Sequence, residues 1–229
     1  MTLLFVILMF VLLLLFFSFS YLRPPHHDNF RPIDGYVPPR LVPALFSPHL
    51  CRRLRSTALR KGMSLSEVKD YKPESAHRSS LTCWLTPDDP DVRLVFDKIS
   101  RLTGTDPSSY ESLQVVRYFP GHFFHAHHDQ CDPSEPYCRR ELDRFHDHPR
   151  VYTILIYLSD PSDYDGGSTE FPRLGLAFRG DVGDALWFHN LDSRRSRVHP
   201  DSIHQANPVT RGEKWVCNVW IRSHPFSTR

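Results

Sequence analysis

Glycine is scarce in this 229-residue chain, and its charges nearly cancel. Ten glycines stand against twenty prolines. That ratio disfavours long uninterrupted helices, because a proline inside a helix removes a hydrogen bond and clashes with the preceding turn. Twenty-eight Lys and Arg against 26 Asp and Glu leave a net charge of +2. The basic surplus with which nucleic-acid binders neutralise phosphates is missing, so no nucleic-acid partner is expected. The five cysteines include no C-x-x-C pair, which removes the common zinc and dithiol-redox frameworks. No repeat of fixed period is visible, so solenoids and propellers are excluded. A hydrophobic fraction of 40% and an aromatic fraction of 13% remain, enough for one sizeable domain and an appendage.

The appendage is at the start. Residues 1–22, MTLLFVILMFVLLLLFFSFSYL, contain no charged side chain. That run exceeds the roughly 18 apolar residues of a spanning helix, and also the ~7–15-residue core of a signal peptide. It reads as a transmembrane signal-anchor, with a cleaved signal peptide as the alternative because Ser18 and Ser20 form a small-x-small pattern. Arg23, Arg31 and Arg40 follow it and no basic residue precedes it, which argues against a lumenal domain. Cys131 and Cys138, bracketing CDPSEPYC, argue the other way, since they could close a small disulfide in an oxidising compartment; two unpaired thiols are the alternative. The expectation is a single-pass membrane protein of the endoplasmic reticulum or secretory pathway with a lumenal catalytic domain.

Six prolines between residues 23 and 43 read as a stiff, extended linker. The domain then spans 44–229, its core 110–224. Ser47-Pro48 and Asp89-Pro90 each pair an N-cap with proline at the first helical position, and Gly62 and Gly104 supply the stops, so two helices are expected. After Gly104 the period changes. LQVVRYF, HFFHAHHD, VYTILIYL, LGLAFRG, DALWFHN and KWVCNVWIR are short, β-branched and aromatic-rich, and turn residues separate them. The fold class is α+β, N-terminal helices followed by a jelly-roll-like β core.

One of those strands, HFFHAHHD (122–129), concentrates the polar chemistry. Alternate residues of a strand share a face, so His125, His127 and Asp129 point one way and His128 the other. Two candidate ligand pairs follow: His125 with His127, which suits zinc, or His127 with Asp129. Two histidines and a carboxylate on one side of an ion suit a non-haem Fe(II) centre, and His204 is a candidate third ligand from a later strand. A strand without metal is the remaining reading. Ten residues after His204, Lys214 opens the apolar strand KWVCNVWIR. A buried ammonium there calls for an anionic partner.

Taken together, LQVVRYFPGHFFHAHHD, YTILIYLSD, GGSTEFP, GDALWF and SIHQANPVTRGEKWVCNVWI resemble the prolyl 4-hydroxylase family of Fe(II)/2-oxoglutarate dioxygenases. The likeness runs from about 110 to 222. It implies a double-stranded β-helix core and a procollagen-proline 4-dioxygenase-like enzyme that uses Fe(II), 2-oxoglutarate and ascorbate. It also implies that His127, Asp129 and His204 ligate the metal and that Lys214 pairs with the far carboxylate of 2-oxoglutarate. Tyr118, Thr153 and Trp220 fall where similar enzymes place cosubstrate-pocket residues. The implied substrate is a peptidyl proline in a collagen-like or proline-rich protein, giving 4-hydroxyproline, succinate and CO2. Lysyl residues or a small molecule are alternative substrates, and an inactive membrane-anchored binding module is the alternative outside enzymology. Phe124 departs from the family pattern, in which a tyrosine is common. The residues assign no oligomeric state.

Overall fold

The computed structural model of the protein describes residues 36–66, 78–132, 135–192, 194 and 197–226. Helix α1 (Pro48–Lys61) starts where Ser47 Oγ accepts from Leu50 N at 3.2 Å, and it stops at Gly62. Helix α2 (Pro90–Thr103) starts where Asp89 accepts from Asp91 N at 2.8 Å, and it ends on Gly104 in the left-handed conformation. Both caps sit where side-chain oxygens can satisfy the free N–H groups of a first turn.

Seven antiparallel strands form the larger sheet, in the order β1 (Arg40–Val42), β10 (Ala185–His189), β6 (Arg150–Tyr157), β13 (Lys214–Arg222), β4 (Leu113–Tyr118), β3 (Leu81–Leu85) and β2 (Ser64–Leu65). A second sheet runs β5 (Phe124–His127), β11 (His204–Ala206), β8 (Thr169–Phe171) and β9 (Leu176–Phe178), and β12 (Val209–Gly212) pairs with β7 (Tyr164–Gly166). A third helix, α3 (Pro136–Arg144), lies between β5 and β6. The architecture is mostly antiparallel sheet with helices, the arrangement of a jelly-roll core.

Strand β13 shows how sequence sets the layers. Trp215, Cys217, Val219 and Ile221 join Leu54 and Ala58 of α1 and Val95 and Ile99 of α2 in one apolar cluster. The alternate residues Lys214, Val216, Asn218 and Trp220 line a pocket on the opposite face, as the two-residue period of a strand requires. Leu54 is 1% exposed in the helix-facing cluster. Leu54→Ala is therefore expected to cost about 2–5 kcal/mol, read as a lowered denaturation midpoint with an unchanged slope. An unchanged midpoint would contradict this packing.

The motif glycines are backbone devices. Gly166 has φ +69°, and a Cβ there would lie 2.4 Å from Pro208 O, so the GG turn can close against the chain after His204. Gly183 has φ +94°, and a Cβ would lie 2.0 Å from Phe46 O. Only glycine fits either position without displacing backbone.

Several expectations are corrected. No helix among the described residues is long and apolar enough to cross a membrane. That overturns the expected single-pass membrane localisation in the endoplasmic reticulum; residues 1–22, on which it stood, lie outside the described residues. Residues 40–42, read as the end of a linker, instead form β1 and pair with β10. The segment after Cys131 carries α3, which was not expected, and of the two readings of Cys131 and Cys138 the disulfide is the one formed. Strands β2 and β3 precede α2, so helices and strands are interleaved rather than consecutive.

Candidate active site

His127 ends β5 and stands in register with His204, the first residue of β11. Asp129 follows two residues after the strand. His127 Nε2 lies 3.7 Å from Asp129 Oδ1, and His204 Nε2 lies 3.8 Å from Oδ2. The three donor atoms all fall within 4.8 Å of one another. His127 Nδ1 is 2.7 Å from His125 O, and His204 Nδ1 is 3.0 Å from Ser202 O. Each carbonyl accepts from Nδ1–H, so both Nε2 lone pairs are free for an ion. Phe124 stacks on His127 at 3.6 Å and Phe188 packs on His204 at 4.7 Å, which fixes both ring planes.

Electrostatics favour the same state. Burial pushes the His127 imidazole well below its ordinary range, which keeps Nε2 unprotonated. Burial alone would raise Asp129. The adjacent His204 and His127 and the hydrogen bond from Thr153 outweigh it and hold the carboxyl at about 2. Asp129 Oδ2 accepts from Thr153 Oγ1 at 2.6 Å, and Thr153 in turn accepts from Asn190 Nδ2 at 3.0 Å.

Lys214 stands in the same pocket at 1% exposure. Among the described residues its hydrogen-bond partner is the Thr169 hydroxyl at 3.4 Å, and its ammonium lies 5.4 Å from the Tyr118 ring centre. No carboxylate of the described residues pairs with it. Burial, helped by the charge of Arg179, lowers its pKa from 10.5 to about 7. The pocket therefore holds a carboxylate with two imidazoles at one place and, at another, an ammonium that no carboxylate of the described residues meets.

Known proteins resemble this chain along most of its length. A protein of Acanthamoeba polyphaga mimivirus that carries the name prolyl 4-hydroxylase is 34% identical over 194 residues, covering 85% of this chain and 78% of that protein. The chain belongs to the prolyl 4-hydroxylase family of 2-oxoglutarate/Fe(II) oxygenases. Residues 113–222 match the 2OG-Fe(II) oxygenase superfamily. Prolyl 4-hydroxylase subunit alpha-1 of Rattus norvegicus is 35% identical over 164 residues, which is 69% of this chain but only 30% of that subunit. Among solved structures, the viral collagen prolyl hydroxylase of Paramecium bursaria Chlorella virus-1, in complex with 2-oxoglutarate, matches with a TM-score of 0.65 at 25% identity. It covers 81% of this chain and 96% of its own.

Membership in this oxygenase family brings Fe(II) and 2-oxoglutarate with it, and the donor set fits. Two imidazole nitrogens and a carboxylate on one side leave the other positions of an octahedral ion open. Tyr118 and Trp220 line the pocket. Thr153 is turned instead to Asp129 and Asn190. Of the neighbouring histidines, His128 bonds Ser202 Oγ at 2.9 Å and His125 packs on Phe123; neither joins the triad. Sequence reasoning missed Arg78, whose guanidinium lies over the Phe124 ring at 4.6 Å in the pocket wall. It also missed Thr169, although that residue sits in the GGSTEFP motif.

Proposed function

We propose that the protein hydroxylates peptidyl proline at C4 in collagen-like or proline-rich proteins, releasing succinate and CO2. The observation that carries the reading is the pairing, in one pocket, of the His127–Asp129–His204 set with a buried Lys214 for which the described residues offer no carboxylate. In this reading His127 Nε2, the Asp129 carboxylate and His204 Nε2 hold Fe(II). Lys214 meets the far carboxylate of 2-oxoglutarate, with Thr169 and Tyr118 beside it. When bound, the metal and cosubstrate supply the oxidative chemistry, in which dioxygen gives one atom to succinate as 2-oxoglutarate loses CO2 and the other to the substrate, and ascorbate keeps the metal ferrous. The chain's own part is placement. Thr153 orients the carboxylate, the two backbone carbonyls fix the imidazole tautomers, and Val216 and Leu155 give the pocket apolar wall that limits water.

The substrate class follows from the company the chain keeps. Its mimivirus and rat relatives are named as prolyl 4-hydroxylases, and its structural neighbour as a collagen prolyl hydroxylase. An extended polyproline-II chain suits such a site because little conformational entropy is lost on binding. The test is amino-acid analysis after incubation of the full chain with Fe(II), 2-oxoglutarate, ascorbate and a collagen-like peptide that contains both proline and lysine. The expected product is 4-hydroxyproline. Hydroxylysine alone would transfer the reading to lysyl substrates.

Thr153→Val is expected to lower metal affinity about 10- to 100-fold, the usual range for a group that orients a ligand. Metal titration checks it, and wild-type affinity would remove Thr153 from that role.

A further inference from the structure

The chain between β5 and β6 is tied to a charged framework behind Asp129, made by Glu111 before β4, Glu141 of α3, Arg150 at the start of β6 and Arg222 at the end of β13. Gln130, 2% exposed, accepts from Arg150 N at 2.8 Å and donates to Cys131 O at 3.0 Å. Cys131 is joined by its disulfide to Cys138 in α3. From the same helix Glu141 accepts from Arg222 Nη2 at 3.1 Å and lies 3.6 Å from Arg150 Nη2. Between the two arginines sits Glu111. It accepts from Arg150 Nε and Nη2 at 2.6 and 2.7 Å and from Arg222 Nε at 2.8 Å. The Arg222 side chain is fully buried and that of Glu111 is 7% exposed. The remaining terminal nitrogen of Arg150, Nη1, donates to the backbone carbonyl of Asp129 at 2.9 Å.

A buried cluster of this kind is weak evidence for stability, because well-packed apolar replacements are often as stable. Its distinctive property is direction. A guanidinium gripped by a carboxylate at two nitrogens has a fixed plane, so its third nitrogen points at one place. Here that place is the carbonyl of Asp129, whose side chain Thr153 holds from the other end. We infer that Arg150 is a positioning residue for Asp129, locked by Glu111, Arg222 and Glu141, and that the Cys131–Cys138 disulfide is a second tie on the same loop. Metal retention then depends on residues that never touch the metal. The inference rests on the reading of Asp129 as a metal ligand. A merely structural cluster would change melting temperature and leave the metal affinity of the folded protein alone.

The experiment is calorimetric titration of the full chain with Co(II) in the absence of cosubstrate, with circular dichroism confirming the fold of each variant. Asp129→Ala tests the ligand reading and is expected to lose Co(II) binding. Arg150→Lys keeps the charge but cannot hold the fork and reach the carbonyl together. It is expected to bind Co(II) about 10- to 100-fold more weakly. The double variant Cys131→Ser/Cys138→Ser is expected to shift in the same direction, and it carries the test where Arg150→Lys fails to fold. Loss of binding in Asp129→Ala with wild-type affinity in folded Arg150→Lys overturns the positioning role alone. Wild-type affinity in Asp129→Ala overturns both the role and the ligand reading beneath it.

Discussion

Lys214→Met is expected to weaken 2-oxoglutarate binding by a factor of hundreds to thousands while leaving the fold intact. The ammonium is 1% exposed, and the described residues offer it a hydroxyl rather than a carboxylate. Removing one partner of a buried ion pair costs about 3–5 kcal/mol, and that loss falls on the ligand. Without ligand the effect on stability runs the other way. Burial holds the folded pKa at about 7, below its ordinary 10.5, so folding works against the charged form. Between those values the unfolded chain holds more protons than the folded one. The contribution of Lys214 to stability therefore rises with pH across that window, and methionine removes the cost of burying the charge. Affinity for 2-oxoglutarate should fall about tenfold per pH unit above about 7, since the ammonium must first be re-formed beside Arg179. Titration calorimetry at several pH values checks this, with thermal melts of the metal-free variant alongside. Equal losses of melting temperature and affinity, or a flat pH profile, would contradict it.

Asp129→Asn is expected to abolish tight metal binding, by at least about 100-fold, beyond the range for groups that only orient a ligand. The change conserves shape and removes only the charge that faces the two Nε2 atoms. Two neutral imidazoles alone cannot balance a divalent ion. Metal stabilises only a protein that binds it, so the wild-type melting temperature should rise with added Co(II) and that of the variant should not. A metal-dependent rise of equal size in Asp129→Asn would contradict the assignment of Asp129.

How much of this the residues disclosed depends on distance along the chain. His127 and Asp129 were legible because a strand's two-residue period places them on one face within a single motif. His204 lies far away in sequence and was a bare candidate until the resemblance assigned it to the triad; the register between β11 and β5 supplies the physical reason. Lys214 was legible because one ammonium opens an otherwise apolar strand. Thr153 shares the pocket-side face of β6, but its hydroxyl turns to Asp129, which period alone does not reveal. Arg78 carries no signal in the sequence because its burial comes from the Phe124 ring across an isolated bridge. The framework behind Asp129 was invisible, since its pairs join residues 39 and 111 positions apart. Helix α3 was missed because only Cys138 and Leu142 of its residues are buried, too few for an apolar stripe. The apolar run 1–22 read as a membrane span on composition alone, a reading the described helices do not share.

The most direct test is mass spectrometry of a proline-rich peptide incubated with the full chain, Fe(II), 2-oxoglutarate, ascorbate and isotopically heavy dioxygen. A His127→Ala variant is run in parallel. The account predicts one heavy oxygen on a proline, an equivalent of succinate, and neither product from the variant. Folded, metal-bound protein that yields no succinate and no modified peptide would contradict it.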